Sequence, residues 1–191
     1  MKKNIISITV ILFLISCNSH NEKSNLNEKQ FPKTDSVQIG KSVESKPTIN
    51  PQNLLSVGDA RLILGEPCSV IDVSNSNEGK ALNYSCSYEA LAKNKKNGKK
   101  GSLYFLLEEY NDSTSAKERY TFIKTSNEKN PGVKTLSGYG DEAYFHSDLE
   151  NFYFIMARKG KNVFNMKVNK ITNTTSLEQF KMVAKRIAAS I

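Results

Sequence analysis

Periodic apolar patterning begins near residue 51, and it limits which part of the chain can build a folded core. From there to Ile191, apolar residues recur either at alternate positions or at helical spacing. About 141 residues are enough for one core that buries roughly 68% of the unfolded surface. We therefore expect a single domain over residues 51–191.

Residues 18–50 lack this pattern. They are rich in Asn, Ser, Lys and Glu, and their six large apolar residues show no period. Such a composition predicts a disordered tether over residues 17–50, with a reach of roughly 30 Å.

An apolar run of 11 residues, Ile5 to Ile15, follows a short basic start. It is too short to cross a bilayer core of about 30 Å, which needs roughly 20 helical residues. A basic start followed by a run of this size is typical of a secretory signal.

The run ends in Leu14-Ile15-Ser16-Cys17, which resembles the signal of bacterial lipoproteins. The resemblance implies removal of residues 1–16 and acylation of Cys17, for example with palmitate. Several acyl chains on one cysteine would anchor the protein firmly in a membrane. Asn18 stands where an Asp would imply retention at the inner membrane, so we expect the outer membrane, with the domain facing the periplasm.

Two further cysteines, Cys68 and Cys86, form an even pair in what would be an oxidising compartment. They are symmetric about Asn77, so a hairpin centred there would place them opposite each other. We expect a disulfide, which would contribute about 3 kcal/mol on the chain-entropy model. No metal site is predicted, because two cysteines without a nearby His fall short of four ligands.

The patterns predict elements in the order α-β-β-β-α-β-β-β-β-α. Ser56 and Asp59 have the spacing of a capping box, and residues 177–191 form an amphipathic helix. Short turns between strands favour an antiparallel sheet, and helices with one apolar stripe favour a two-layer α+β domain with the helices on one face. The predicted strands are 69–73, 81–90, 102–110, 133–136, 143–146, 151–158 and 162–169.

Three short stretches resemble small secreted lipoproteins of actinobacterial cell envelopes, many of which have a PsbP-like α+β domain. The stretches are LILGEPC at 62–68, NYSCSY at 83–88 and GYGDEAYF at 138–145. The resemblance covers most of residues 52–191. It implies a non-enzymatic domain, with no catalytic residue and no cofactor carried over.

The stretch Gly138-Tyr-Gly140-Asp-Glu-Ala143 fits the pattern G-x-G-x-x-A. A dinucleotide site needs this loop to leave a strand and open a helix. Here the apolar alternation continues beyond Ala143 as a strand, which favours a glycine-rich turn. We predict no cofactor.

His146 has four carboxylates nearby in sequence, and such a group can support acid–base chemistry or bind a metal. An exposed turn with solvated charges is the favoured interpretation, and no nucleophile motif is present. We predict no enzymatic activity. The four carboxylates belong to Asp141, Glu142, Asp148 and Glu150.

Aromatic residues cluster between positions 139 and 154. On one interpretation, half of these residues line a groove for a small ligand. We favour the other interpretation, in which they form the core and the outer face of the sheet. The residues are Tyr139, Tyr144, Phe145, Phe152, Tyr153 and Phe154.

One loop carries the whole positive excess of the domain. Residues 51–191 contain 20 basic and 15 acidic residues, and five of the basic ones are Lys93, Lys95, Lys96, Lys99 and Lys100. The loop would contact anionic lipid, at about 1 kcal/mol for each Lys, or an acidic envelope protein. A solvated hairpin tip is the competing and favoured interpretation. No aromatic residue lies between the lysines, so nucleic acid is not expected.

Together these features predict an envelope-anchored lipoprotein that acts as a non-catalytic binding or scaffolding module. An immunity or inhibitor lipoprotein that binds a toxin or an enzyme is the alternative. A hydrolase that uses His146 has the weakest support.

Overall fold

The computed structural model describes residues 53–191, which form a seven-stranded antiparallel sheet and three helices. The predicted α+β class and the predicted order of elements are confirmed. The predicted signal peptide 1–16, Cys17 and the rest of the tether 17–50 lie outside the described residues. Over residues 53–191, no helix has the length and apolar character needed to span a bilayer.

The element bounds follow the local patterns closely, except that the first strand is 11 residues long rather than five. The helices are α1 Val57–Leu64, α2 Ser113–Asn127 and α3 Leu177–Ser190. The strands are β1 Cys68–Glu78, β2 Ala81–Ala90, β3 Ser102–Tyr110, β4 Lys134–Leu136, β5 Glu142–Ser147, β6 Phe152–Lys159 and β7 Asn162–Asn169.

Two antiparallel meanders, joined by a single strand pair, build the sheet. The strand order is β1-β2-β3-β7-β6-β5-β4, so β3 and β7 meet in the middle. Phe105 of β3 lies opposite Met166 of β7. The chain segment that contains α2 connects β3, in the middle of the sheet, to β4 at the edge opposite β1. From β4 the strands β5, β6 and β7 follow as successive antiparallel neighbours, so that β7 lies beside β3.

Helices pack on both faces of the sheet, so the predicted two-layer arrangement with helices on one face is wrong. The larger core lies between α1, α3 and one face, and includes Phe105 and Phe180. A second core lies on the opposite face, where Ala116 and Tyr120 of α2 pack with strand residues. The run Ile155-Met156-Ala157 of β6 is fully buried because its two faces meet different cores.

The β1–β2 hairpin turns at residues 79–80, because Glu78 pairs with Ala81. Gly79 adopts a φ of 66°, which glycine reaches without steric cost. The predicted turn about Asn77 is therefore wrong: that residue lies inside β1, where it pairs with β2.

This register separates the two cysteines. Cys68 lies opposite Ala90, whereas Cys86 lies opposite Val73. The four-residue step from Cys86 to Ala90 spans about 13 Å of strand, beyond the roughly 7 Å over which a disulfide can join two Cα atoms. The structure thus contradicts the predicted disulfide: both thiols are free and buried. Burial raises the pKa of each thiol, which keeps both protonated.

Asp59 links the start of α1 to α3. The predicted capping box is confirmed: Ser56 Oγ accepts from the Asp59 amide at 3.1 Å, and Asp59 Oδ2 accepts from the Ser56 amide at 2.9 Å. Arg186 of α3 donates to the same carboxylate at 2.9 Å. Burial acts to raise the pKa of Asp59, but the hydrogen bonds from Ser56 and Arg186 outweigh it and hold the pKa below its usual value.

The second core contains two tyrosine hydroxyls without hydrogen-bond partners among residues 53–191, those of Tyr120 and Tyr144. Both residues are 1% exposed, and their rings meet edge to face with centroids 6.1 Å apart. Burial raises the pKa of Tyr144 to about 12. Each hydroxyl therefore carries a desolvation cost that no hydrogen bond offsets.

We expect Asp59→Asn to reduce the dependence of stability on acid pH. The folded-state pKa lies below the unfolded value of about 3.9. The carboxylate therefore stabilises the fold above that pH, and this contribution is lost as pH falls through the folded-state pKa. Urea unfolding at several pH values from about 7 to about 2 measures this effect. The difference in the free energy of unfolding between wild type and Asp59→Asn should become smaller as the pH falls. A difference that stays constant over this range, or one equalled by the exposed control Glu118→Gln, would contradict the assignment.

We expect Tyr120→Phe and Tyr144→Phe to leave the free energy of unfolding unchanged or to raise it by up to about 1 kcal/mol, because each removes an unpaired buried hydroxyl. Tyr88→Phe is the matched control, since its hydroxyl donates to the Leu55 carbonyl oxygen. That change should cost about 1 to 2 kcal/mol. Chemical denaturation measures the free energy of unfolding of all three variants. An equal decrease at the three positions would contradict the assignment of the unpaired hydroxyls.

Candidate functional site

Three connections meet at one end of the domain and enclose a groove of about 370 Å³. They are residues 65–67 between α1 and β1, residues 91–101 between β2 and β3, and residues 170–176 between β7 and α3. We call this feature the lysine groove. Its lining residues are Glu66, Pro67, Leu91, Ala92, Lys93, Asn94, Lys95, Lys96 and Asn173.

A glycine allows two of these connections to touch. Gly65 ends α1 with a φ of 68°, and a Cβ atom at this position would lie 2.1 Å from the Thr174 carbonyl oxygen. The connection before α3 also satisfies carbonyl groups at the end of α1. The Ser176 amide donates to the Ile63 carbonyl at 2.8 Å, and the single hydroxyl proton of Thr174 is shared between the Leu64 carbonyl at 3.1 Å and Glu66. The end of α1 thus fixes one wall of the groove.

Glu66 holds the lysine-bearing loop against this wall. Its Oε1 atom accepts a hydrogen bond from the Asn94 side-chain amide and another, at 2.8 Å, from Thr174 Oγ1. Asn94 is 8% exposed although three of the five loop lysines lie within two residues of it. One carboxylate therefore joins the β2–β3 loop to the connection before α3.

Asn94 also organises the loop itself. Its side-chain Oδ1 atom accepts a hydrogen bond from the Lys96 backbone amide at 3.0 Å. Its backbone amide donates a hydrogen bond to the Lys99 carbonyl oxygen at 2.8 Å. The Gly98 amide returns to the Asn94 carbonyl at 2.8 Å. The loop is therefore hydrogen-bonded internally around one buried side chain.

The five predicted loop lysines fall into two groups. Lys100 forms an ion pair with Glu89, and Lys99 Nζ donates to the Glu150 carbonyl at 3.2 Å. The other three are exposed and have no ion-pair partner among the described residues; they are Lys93, Lys95 and Lys96.

An exposed leucine lies beside these unpaired charges. Leu91 is 63% exposed and belongs to the lining of the same groove. Its amide donates to the Pro67 carbonyl at 2.9 Å, which fixes the backbone there. The lysine groove thus presents three cations and one large apolar side chain on a fixed backbone.

Three of the four carboxylates close to His146 in sequence bind other groups, and the fourth, Glu150, is exposed. Asp141 and Glu142 both pair with Arg158, at 2.9 and 2.8 Å. Asp148 accepts from backbone amides of its own turn. Among residues 53–191 no group of three or more His, Cys, Asp or Glu side chains could hold a metal ion.

The G-x-G-x-x-A stretch is a turn followed by a strand, as its alternation predicts. Gly140 has a φ of 92°, and a Cβ atom there would lie 2.5 Å from the Arg158 carbonyl oxygen. Asp141 Oδ2 accepts from the Gly160 amide at 2.9 Å, which joins this turn to the β6–β7 turn. β5 then begins at Glu142. Gly140 therefore serves a close approach of two backbone segments.

Comparisons with protein-family models, curated proteins and solved structures found no match to this chain. No activity, ligand or partner is therefore transferred from a relative.

Sequence reasoning identified the lysines but missed the residues that hold them. Glu66, Asn94 and Thr174 come from three separate connections, and only the fold brings them together. The one local indication is an asparagine among lysines, because Asn side chains readily bond to nearby backbone groups.

We expect Asn94→Ala to loosen the loop. The change removes a partner of the Glu66 carboxylate and the acceptor for the Lys96 amide, so hydrogen exchange at the Lys96 amide should become faster. The free energy of unfolding should fall by about 1 to 3 kcal/mol. Asn173→Ala is the control, because this exposed residue lines the same groove and its side chain forms no hydrogen bond within residues 53–191. Equal exchange rates in the two variants would show that Asn94 is not the anchor.

Proposed function

We propose that the protein is an envelope lipoprotein with a non-catalytic binding domain, and that the lysine groove is its contact surface for anionic lipid headgroups. In this proposal Cys17 carries the acyl anchor at the outer membrane, and residues 18–50 tether a PsbP-like domain on the periplasmic side. The observation that carries the proposal is the set of three unpaired lysines on a loop held by Glu66.

The combination of cations with an exposed apolar residue favours a membrane surface. Lysines close to an anionic leaflet contribute about 1 kcal/mol each, and an exposed leucine such as Leu91 can bury its side chain at the headgroup boundary. Three lysines and one leucine make a weak contact. A tether that keeps the domain near the membrane makes that contact intramolecular and so raises its occupancy.

An acidic protein surface would satisfy the same lysines. The alternative proposal is therefore an immunity or inhibitor lipoprotein that uses the lysine groove to bind one toxin or enzyme. It predicts tight binding to a protein and no preference for anionic vesicles, so vesicle binding separates the two proposals.

We expect the processed chain with Cys17→Ser to sediment with vesicles that contain phosphatidylglycerol and not with vesicles of phosphatidylcholine alone. The serine removes the acyl anchor, so only the domain and the tether contribute. Lys95→Glu combined with Lys96→Glu should weaken binding at least tenfold, because the electrostatic term is about 1 kcal/mol per cation. Salt should weaken the wild-type contact as well.

The matched control is Lys117→Glu combined with Lys129→Glu, which makes the same change of charge at exposed positions outside the groove. This control should retain binding. The proposal is contradicted by equal losses in the two double variants, because general charge would then explain the result. It is also contradicted if anionic vesicles bind no better than neutral ones.

A further inference from the structure

A second groove lies on the α2 side of the sheet and shares no lining residue with the lysine groove. It encloses about 290 Å³. Two lining residues are phenylalanines, and every lining side chain is half-buried. The residues are Asn127, His146, Phe152, Phe154 and Lys167.

Three of these residues form one row across neighbouring strands. His146 of β5 lies opposite Phe154 of β6, and Phe154 lies opposite Lys167 of β7. Adjacent strands are about 4.8 Å apart, so a histidine and a lysine flank one phenylalanine ring. Side chains two residues apart on a strand share a face, so Phe152 extends the aromatic surface beside this row.

The rings of the groove are in contact with one another. The His146 and Phe152 rings meet edge to face, with centroids 4.9 Å apart and planes at 85°. Lys167 Nζ lies 5.7 Å from the centroid of the Phe152 ring. Phe154 packs on Tyr144 of the second core, at 5.7 Å between centroids. The site therefore stands on the fixed edge of a core.

The end of α2 leaves this part of the sheet uncovered. Tyr144, one row from His146 on the same face of β5, is 1% exposed beneath the helix. α2 ends at Asn127, which lines the groove. The aromatic face thus continues beyond the helix, where ordinary solubility would favour polar residues.

The charge of the groove is positive. No lining residue is acidic, and Lys167 has no ion-pair partner among residues 53–191. The carboxylate of Glu142, on the same strand as His146, forms an ion pair with Arg158. The carboxylate of Asp148 accepts a hydrogen bond from the Asn151 backbone amide. His146 adds a ring N–H donor. An anionic group would therefore find a cation that forms no ion pair with any carboxylate of residues 53–191.

We propose that this groove binds a small molecule with one aromatic ring and one carboxylate. The ring packs on Phe152 and Phe154, and the carboxylate pairs with Lys167. The volume is close to the lower end of the usual range of ligand pockets, about 300 to 1,000 Å³, so a ligand with a single ring fits. This site is independent of the lysine groove and of its proposed role.

The test is a titration of the full chain, in neutral detergent, with 3-phenylpropionate, followed by ¹H–¹⁵N NMR. We expect amide shifts confined to β5, β6, β7 and the end of α2, with a Kd of about 1 mM for a ligand of this size. Propionate lacks the ring and 3-phenylpropionamide lacks the charge. Each should bind at least tenfold more weakly than 3-phenylpropionate.

Lys167→Gln should weaken binding of 3-phenylpropionate at least tenfold and leave the spectrum of the fold unchanged, because this half-buried residue has no ion pair. Lys117→Gln, at an exposed position on α2, is the control and should bind like wild type. Any of three results overturns the proposal: equal binding of the acid and its amide, equal binding by Lys167→Gln and wild type, or shifts that map elsewhere or do not occur. The variants at Lys95 and Lys96 leave this groove intact, so the two proposals fail separately.

Discussion

The pairing of β3 with β7 is the interaction on which the rest of the structure depends. It joins the meander β1-β2-β3 to the meander β4–β7, and in the part of the chain that the structure describes it is the one strand pair between them. The inward residues on both sides of the pair are completely buried, among them Phe105 and Phe164, whose ring centroids are 6.1 Å apart. Both candidate sites depend on this pair, because the lysine loop leads into β3 and Lys167 projects from β7.

Local patterns in the sequence were sufficient for the elements, and tertiary pairing decided the rest. The alternation in residues 81–90 gave both the bounds of β2 and its inward face, and the helical spacing from Leu177 gave α3. Two-sided burial was missed, although the unbroken apolar run at 155–157 departs from the alternation of a one-sided sheet and was its local sign. The turn at residues 79–80 was missed because β1 pairs through a polar stretch, and the position of Cys68 opposite Ala90 follows from that register.

The sequence predicted only part of the chemistry of the two grooves. The five loop lysines are adjacent in sequence, so their charge was evident, but the division into paired and unpaired lysines depends on Glu89 and on the turn at residue 150. The second groove depends on strand register, since His146, Phe154 and Lys167 come from three strands. The aromatic cluster at 139–154 indicated such a surface without showing which rings remain accessible.

Spin labelling of the acylated full-length protein in vesicles with phosphatidylglycerol tests most directly whether the lysine groove faces the membrane. Leu91 and Phe122 are both exposed apolar residues, at 63% and 69%, but only Leu91 lies in the groove. The buried thiols of Cys68 and Cys86 leave an introduced cysteine as the accessible label site. A nitroxide at Leu91→Cys should be relaxed by oxygen in the lipid, whereas one at Phe122→Cys should be relaxed by a water-soluble nickel complex. Relaxation of the label at position 91 by the nickel complex, and not by oxygen in the lipid, would contradict membrane contact through this groove.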